Sequence, residues 1–122
     1  MKFLVENDYQ CSEAIASRLV PIVALKDIIP QFKLGTAADE KRLHELAVKG
    51  IAELLSYQHW NGGFKLWPES YTTWSFVSAY VTWALIRARE AGFKVPDRAL
   101  IDAAEFLQGV LQANRQEFEW YY

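Results

Sequence analysis

A chain of 122 residues holds at most one domain, and its 52% hydrophobic and 15% aromatic content lets it bury a core, which excludes a disordered tail. A net charge of −2, with acids and bases interspersed, gives neither the basic footprint of a nucleic-acid binder nor a polybasic membrane patch. One cysteine cannot close an internal disulfide, His44 and His59 have no ligand-spaced partners for zinc, and Met1–Val5 is too short and too soon charged for a signal peptide or membrane span.

The first element is predicted from Asp8 to Ile29, because Asn7 and Asp8 are both good N-cap residues. Pro21 falls inside it. An interior proline removes one backbone hydrogen bond and costs about 3 kcal/mol unless the resulting bend is used. Beyond it, Ile22 to Leu25 and Ile28-Ile29 are apolar on nearly every side, the mark of a core helix, and Pro30 and Gly35 are expected to end it. A second helix should start at Thr36, with Asp39 at the capping-box position. Leu43, Leu46, Ala47, Ile51, Leu54 and Leu55 form its one-sided apolar stripe, while Asp39, Glu40, Lys41, Arg42, Glu45, Lys49 and Glu53 supply a solvated face. Gly50 costs that helix about 1 kcal/mol relative to alanine and allows close packing.

Between the second and third helices, Gln58-His59-Trp60-Asn61-Gly62-Gly63-Phe64-Lys65-Leu66-Trp67-Pro68 reads as a tight turn with positive φ, clamped by aromatics. Trp60, Phe64 and Trp67 are expected to be packing residues, as buried aromatics mostly are. A third helix, Tyr71 to Glu90, is predicted with Ser70 or Thr72 as cap and Gly92 as stop. Trp74, Phe76, Val77, Tyr80, Val81, Trp83 and Leu85 point in too many directions for a surface helix, so it should be a second core helix. Pro96-Asp97 opens a half-exposed fourth helix with the stripe Leu100, Ile101, Ala104, Leu107 and Leu111. The closing F-E-W-Y-Y run should dock on the helices or on another copy.

Buried, amphipathic, buried, amphipathic: that order suits antiparallel helical hairpins stacked in two layers. A simple four-helix bundle would make all four helices amphipathic. The expected fold is therefore all-α, antiparallel helical hairpins forming part of a solenoid or an α/α toroid.

Cys11 lies near the predicted start of the first helix, close to unpaired backbone N–H groups that stabilise negative charge, and Ala14 stands at i+3 on the same face. A lone cysteine in an apolar helix is most often a small buried hydrophobe. Yet Cys11-Ser12-Glu13-Ala14, followed by Ser17-Arg18 and Pro21, resembles the C-x-E-Q…S-R-x-x-P pattern of the bacterial alpha-2-macroglobulin and complement thioester domains. In that family the cysteine and glutamine condense with loss of ammonia to an internal thioester, which acylates a captured protein. Glu13 is the motif acid. Ala14 departs at the decisive position, so the resemblance implies a free thiol and no thioester.

The same resemblance covers nearly the whole chain but only the first part of the family's domain, which implies residues 1–122 are a fragment of a much larger protein. The Gln58…Gly62-Gly63-Phe64 spacing resembles the Q-x-x-x-G-G-F element of α/α toroids, in which the glutamine ties the loop to a neighbouring helix end. Ser78-Ala79-Tyr80 resembles the end of the family's following helix, with Trp74 displaced by two positions. Trp60, Phe64, Trp67, Trp74 and Tyr80 then become a possible aromatic shield around Cys11. The implied parent is an extracytoplasmic protease trap, not an enzyme, whose partners are proteases and which needs no cofactor or metal. The family's reactivity-tuning histidine matches neither His44 nor His59. The open edges of such an arc are expected to self-associate. Two other classes remain: a helical-repeat interaction module, and a toroid enzyme related to terpenoid cyclases or prenyltransferases, for which the chain has no D-D-x-x-D or D-x-D-D cluster.

Overall fold

The computed structural model describes residues 11–32, 35–70 and 73–121, with the side chains at 27, 30–32 and 114–121 outside that description. The expected caps Asn7, Asp8 and Thr72 and the aromatic side chains of the carboxyl-terminal run lie outside the described residues. Four helices follow in order: α1 (Ser12–Phe32), α2 (Ala37–Ser56), α3 (Ser75–Glu90) and α4 (Asp97–Tyr121). The fold is all-α, as expected.

The helices form two antiparallel hairpins laid side by side. In the first, Gly50 of α2 lies against Leu19 of α1, and Glu53 faces Arg18 at 3.9 Å. The two hairpins meet through α1 and α3, which run parallel. Ser17 and Tyr80 share a 3.0 Å hydrogen bond near one end, and the Lys26 ammonium lies 4.1 Å over the Phe93 ring beyond the other. The core sits between these layers, where Leu19, Leu54, Phe64 and Leu85 are fully buried. Each such side chain contributes about 1.5–3 kcal/mol by leaving water.

The second helix follows its sequence closely. The Thr36 Oγ1 accepts from the Asp39 N–H at 3.2 Å, the Thr36 N–H donates to Asp39 Oδ2 at 3.1 Å, and Leu43, Ala47, Ile51 and Leu54 are buried. The first helix differs at its end, running through Pro21 and past Pro30 to Phe32. Pro21 and Ser17 both face solvent, so water can satisfy the carbonyl that Pro21 leaves without a donor.

The third helix begins at Ser75, four residues later than the spacing suggested. The loop before it explains the delay: Thr73 bridges Lys65, and the Trp74 N–H donates to the Phe64 carbonyl at 3.3 Å, holding the chain extended (Trp74 φ −109°, ψ 124°). Its end matches expectation. Gly92 has φ +99°, the Phe93 N–H donates to Ala88 and the Gly92 N–H to Arg89, forming a Schellman motif. The reading of α1 and α3 as core helices buried on all sides is corrected: in α3, Val77, Ser78, Val81, Thr82, Ala84, Leu85 and Ala88 are buried but Phe76, Trp83 and Ile86 on the opposite face are exposed, and in α1, Leu19, Ile22 and Val23 are buried but Pro21, Ala24, Leu25 and Ile28 are exposed.

The fourth helix is half-exposed, but rotated from the expected stripe. Ala99 and Ala103 are buried, whereas Ile101, Ala104 and Leu111 face solvent. The loop decides this. Gly62 meets the backbone of Asp102 and Gly63 lies under the Phe106 ring, and because neither glycine carries a side chain the loop closes on this face of α4.

Candidate functional site at the amino end of the first helix

The Ile15 N–H donates to the Cys11 carbonyl at 3.1 Å, so Cys11 is the N-cap of α1 and Ala14 the third helical residue. This refines the expected one-turn spacing. A cap and its third residue are neighbours through their side chains: in the same relation at α2, Thr36 Oγ1 and Asp39 Oδ2 are 3.1 Å apart. Cys11 is half-buried and free, Glu13 is exposed, and Ala14 presents a methyl group.

Ser12 fixes this helix end against the loop. Its N–H donates to the Leu66 carbonyl at 2.9 Å and its Oγ to the Lys65 carbonyl at 2.7 Å, with Ser12 itself fully buried. Two stretches fifty-three residues apart are thereby joined. The loop has its own anchors. The Gln58 Nε2 donates to Gly62 O at 3.1 Å and to Ala99 O at 2.9 Å in the first turn of α4. The Phe64 N–H donates to the buried Ser78 Oγ at 2.8 Å, and the Gly63 N–H to Asn61 Oδ1 at 2.9 Å.

The aromatics divide. Phe64 is a packing residue at 0% exposure. Trp60 is not: it is 88% exposed, touching only its neighbour His59 among the described ring contacts, and Trp67 and Trp74 are about half exposed. The glycines of the turn are buried against α4, while Trp60, just before them, is carried outward. Tyr80 is half-buried, stacks on Trp83 with ring centroids 6.0 Å apart and reaches α1 at Ser17, well along the helix from Cys11.

Sequence reasoning missed Tyr57, which caps the end of α2 and is buried. Burial pushes its phenol pKa up from 10.0, and Glu53, Cys11 and Glu69 add to the shift by disfavouring a second negative charge. Tyr57 thus lies within electrostatic reach of Cys11. Nothing in its local sequence marks it; its position depends on where α2 ends. Glu53 also faces Lys49 at 3.9 Å, an exposed pairing worth little by itself. His44 stacks on Phe93, and among the described residues no group of three or more His, Cys, Asp or Glu could hold a metal ion.

No protein-family model matches the chain. It is 34% identical over 113 residues to alpha-2-macroglobulin of Escherichia coli strain K12, a match covering 92% of this chain but 7% of that protein. The structure of native Escherichia coli alpha-2-macroglobulin spanning domain MG7 to the carboxyl terminus superposes with a TM-score of 0.72 at 30% identity, over 91% of this chain and 17% of that one. The trypsin-activated form of the same protein gives 0.64 at 29% identity, over 81% and 7%. The chain therefore spans less than a tenth of the full-length relative. A match over nine-tenths of the chain, in both sequence and helix arrangement, makes the chain homologous to a segment of bacterial alpha-2-macroglobulin, within the carboxyl-terminal region of that protein.

Proposed function

We propose that residues 1–122 form the amino-terminal part of a thioester-type α/α-toroid domain in a bacterial alpha-2-macroglobulin-like, protease-trapping protein, and that this member lacks the thioester. What supports the reading is the pair of hydrogen bonds from Ser12 to Lys65 and Leu66, which bring together the two stretches that resemble the family. The Escherichia coli relative has a trypsin-activated form, which favours proteases as the parent's partners. The parent would act as an inhibitor rather than an enzyme, outside the cytoplasm.

The chemistry follows from the cap geometry. Thioester closure needs the thiolate sulfur of Cys11 to attack a side-chain acyl carbon at position 14, with ammonia leaving. A glutamine there would supply that carbon from the position that Asp39 occupies relative to Thr36. Alanine supplies only a methyl, so Cys11 stays a thiol. Tyr57, buried and within electrostatic reach of Cys11, would limit access of water to such a bond in a member that forms it.

The test is Ala14→Gln in the full-length protein. Closure lowers the intact mass by one ammonia beyond the substitution and removes the titratable Cys11 thiol, and methylamine then adds at residue 14. The unaltered chain keeps its thiol and takes up no methylamine. Methylamine at residue 14 of the unaltered chain, or an Ala14→Gln protein that folds and keeps a free thiol, would contradict the proposal.

A further inference from the structure

Of the three asparagines in the chain, Asn61 is the one followed by glycine. An asparagine–glycine pair rearranges without an enzyme. The backbone nitrogen of the glycine attacks the asparagine side-chain carbon, and a five-membered succinimide ring forms as ammonia leaves. Glycine permits this best, since it has no side chain to hinder closure. In the folded loop every group that the reaction needs is engaged elsewhere. The Gly62 N–H donates to the His59 carbonyl at 2.9 Å, and Gly62 is buried. Asn61 Oδ1 accepts from the Gly63 N–H at 2.9 Å, and its Nδ2 donates to Thr73 Oγ1 at 3.3 Å. The Gly62 carbonyl accepts from Gln58 Nε2 at 3.1 Å. The proton that must leave the attacking nitrogen is thereby kept from base, and the departing nitrogen is tied to a threonine.

We propose that Asn61-Gly62 is a self-modification site that the folded loop keeps closed, and that its isoaspartyl product cannot close again. When the loop opens, hydroxide removes the Gly62 amide proton and the nitrogen bonds to Asn61 Cγ. The Cγ–Nδ2 bond breaks, and the side-chain nitrogen takes a proton from water to leave as ammonia. A second water opens the ring, so the net change exchanges ammonia for water and nothing is oxidised. Opening at the side-chain carbonyl gives aspartate. Opening at the main-chain carbonyl sends the backbone through Cγ, one methylene longer, with a carboxylate left as the branch. The loop has no space for that. Gly62 has φ +90° and already meets the Asp102 backbone so closely that even a Cβ would overlap it. Displacing Gly62 also takes from Gln58 one of the two carbonyls that its Nε2 bridges, the other being Ala99 in α4. The inference does not depend on the thioester reading.

Incubation of the 122-residue chain at mildly alkaline pH tests it, with tandem mass spectrometry to separate isoaspartyl from aspartyl peptides. The reference is a peptide of residues 59–64. Reaching the reactive state breaks the four hydrogen bonds named above, each worth a factor of about two to ten. Asn61 in the folded chain therefore reacts on the order of a hundredfold more slowly than in the peptide. Exchange protection of the Gly62 amide gives the same factor, because both measurements report one local opening. Thr73→Val removes one of those bonds and speeds the reaction about two- to tenfold, with unchanged helical circular dichroism. Should that variant lose its helical signal, the agreement between amide exchange and deamidation in the unaltered chain decides instead. The isoaspartyl form, separated from the unmodified chain, melts at a lower temperature. A folded chain that deamidates as fast as the peptide overturns the proposal. So does a rate out of step with Gly62 exchange, or an isoaspartyl form that melts with the unmodified chain.

Discussion

Ser78→Ala is the sharpest probe of how the loop is held. Ser78 is 1% exposed, and its Oγ accepts the N–H of fully buried Phe64 at 2.8 Å. With the hydroxyl gone, that amide is left in a dry site with no water to replace it, at a cost of about 1–3 kcal/mol. Alanine recovers about 0.5 kcal/mol as the better helix former. The desolvation cost wins, leaving a net loss of about 1.5 kcal/mol. In urea denaturation this lowers the midpoint by on the order of 1 M with no change in slope, for a slope of roughly 1.5–2 kcal/mol/M. Ser75→Ala, on the exposed side of the same helix, stays within about 0.5 kcal/mol of the parent. Hydrogen exchange gives a local check, since the Phe64 amide should lose protection before the centre of α3 does. An unchanged midpoint in Ser78→Ala would mean the Phe64 N–H does not depend on that hydroxyl, and would refute the account of the anchor.

Gly62→Ala should be far worse than its size suggests: Gly62 has φ +90°, and a Cβ would be driven into the Asp102 carbonyl, so the loop must leave α4 and thermal denaturation should show a loss of several kcal/mol. Gly50→Ala goes the other way, because its Cβ would rest 3.6 Å from Leu19, an ordinary contact, and chemical denaturation should show a gain of about 0.5–1 kcal/mol. Tyr57 makes stability alkali-sensitive. Its folded pKa lies above the unfolded 10.0, so its contribution is fully present below pH 10 and is lost as pH rises through the folded value. Tyr57→Phe should flatten that part of the stability profile, and a profile identical to the parent's above pH 10 would remove Tyr57 as its source.

The candidate site was half legible. Cys11, Ala14 and the Gln58–Phe64 loop are marked by residue type and spacing, and the structure brings the two stretches into hydrogen-bond contact. Nothing in the sequence joins them, because the link runs from a serine to two backbone carbonyls, and any residue has a carbonyl. The same limit hid Ser78, whose hydroxyl accepts from a buried amide fourteen residues away. Trp60 shows the reverse error: an aromatic beside a turn suggests packing, yet it faces solvent.

By itself the sequence determined what depends on neighbours along the chain. The capping box at Thr36 and Asp39, the glycine stop after α3, the apolar period of α2 and the all-α class are local, set by dihedral preference and side chains three or four residues apart. The tertiary structure decided what depends on contact between distant segments. It delayed α3 to Ser75 because the loop holds Trp74 extended, turned α4 onto Ala99 and Ala103 because two glycines let the loop close on that face, and left one side of α1 and α3 bare. An apolar residue states only that it avoids water. Which surface covers it is settled by shape and close approach, and those exist only once the helices have met.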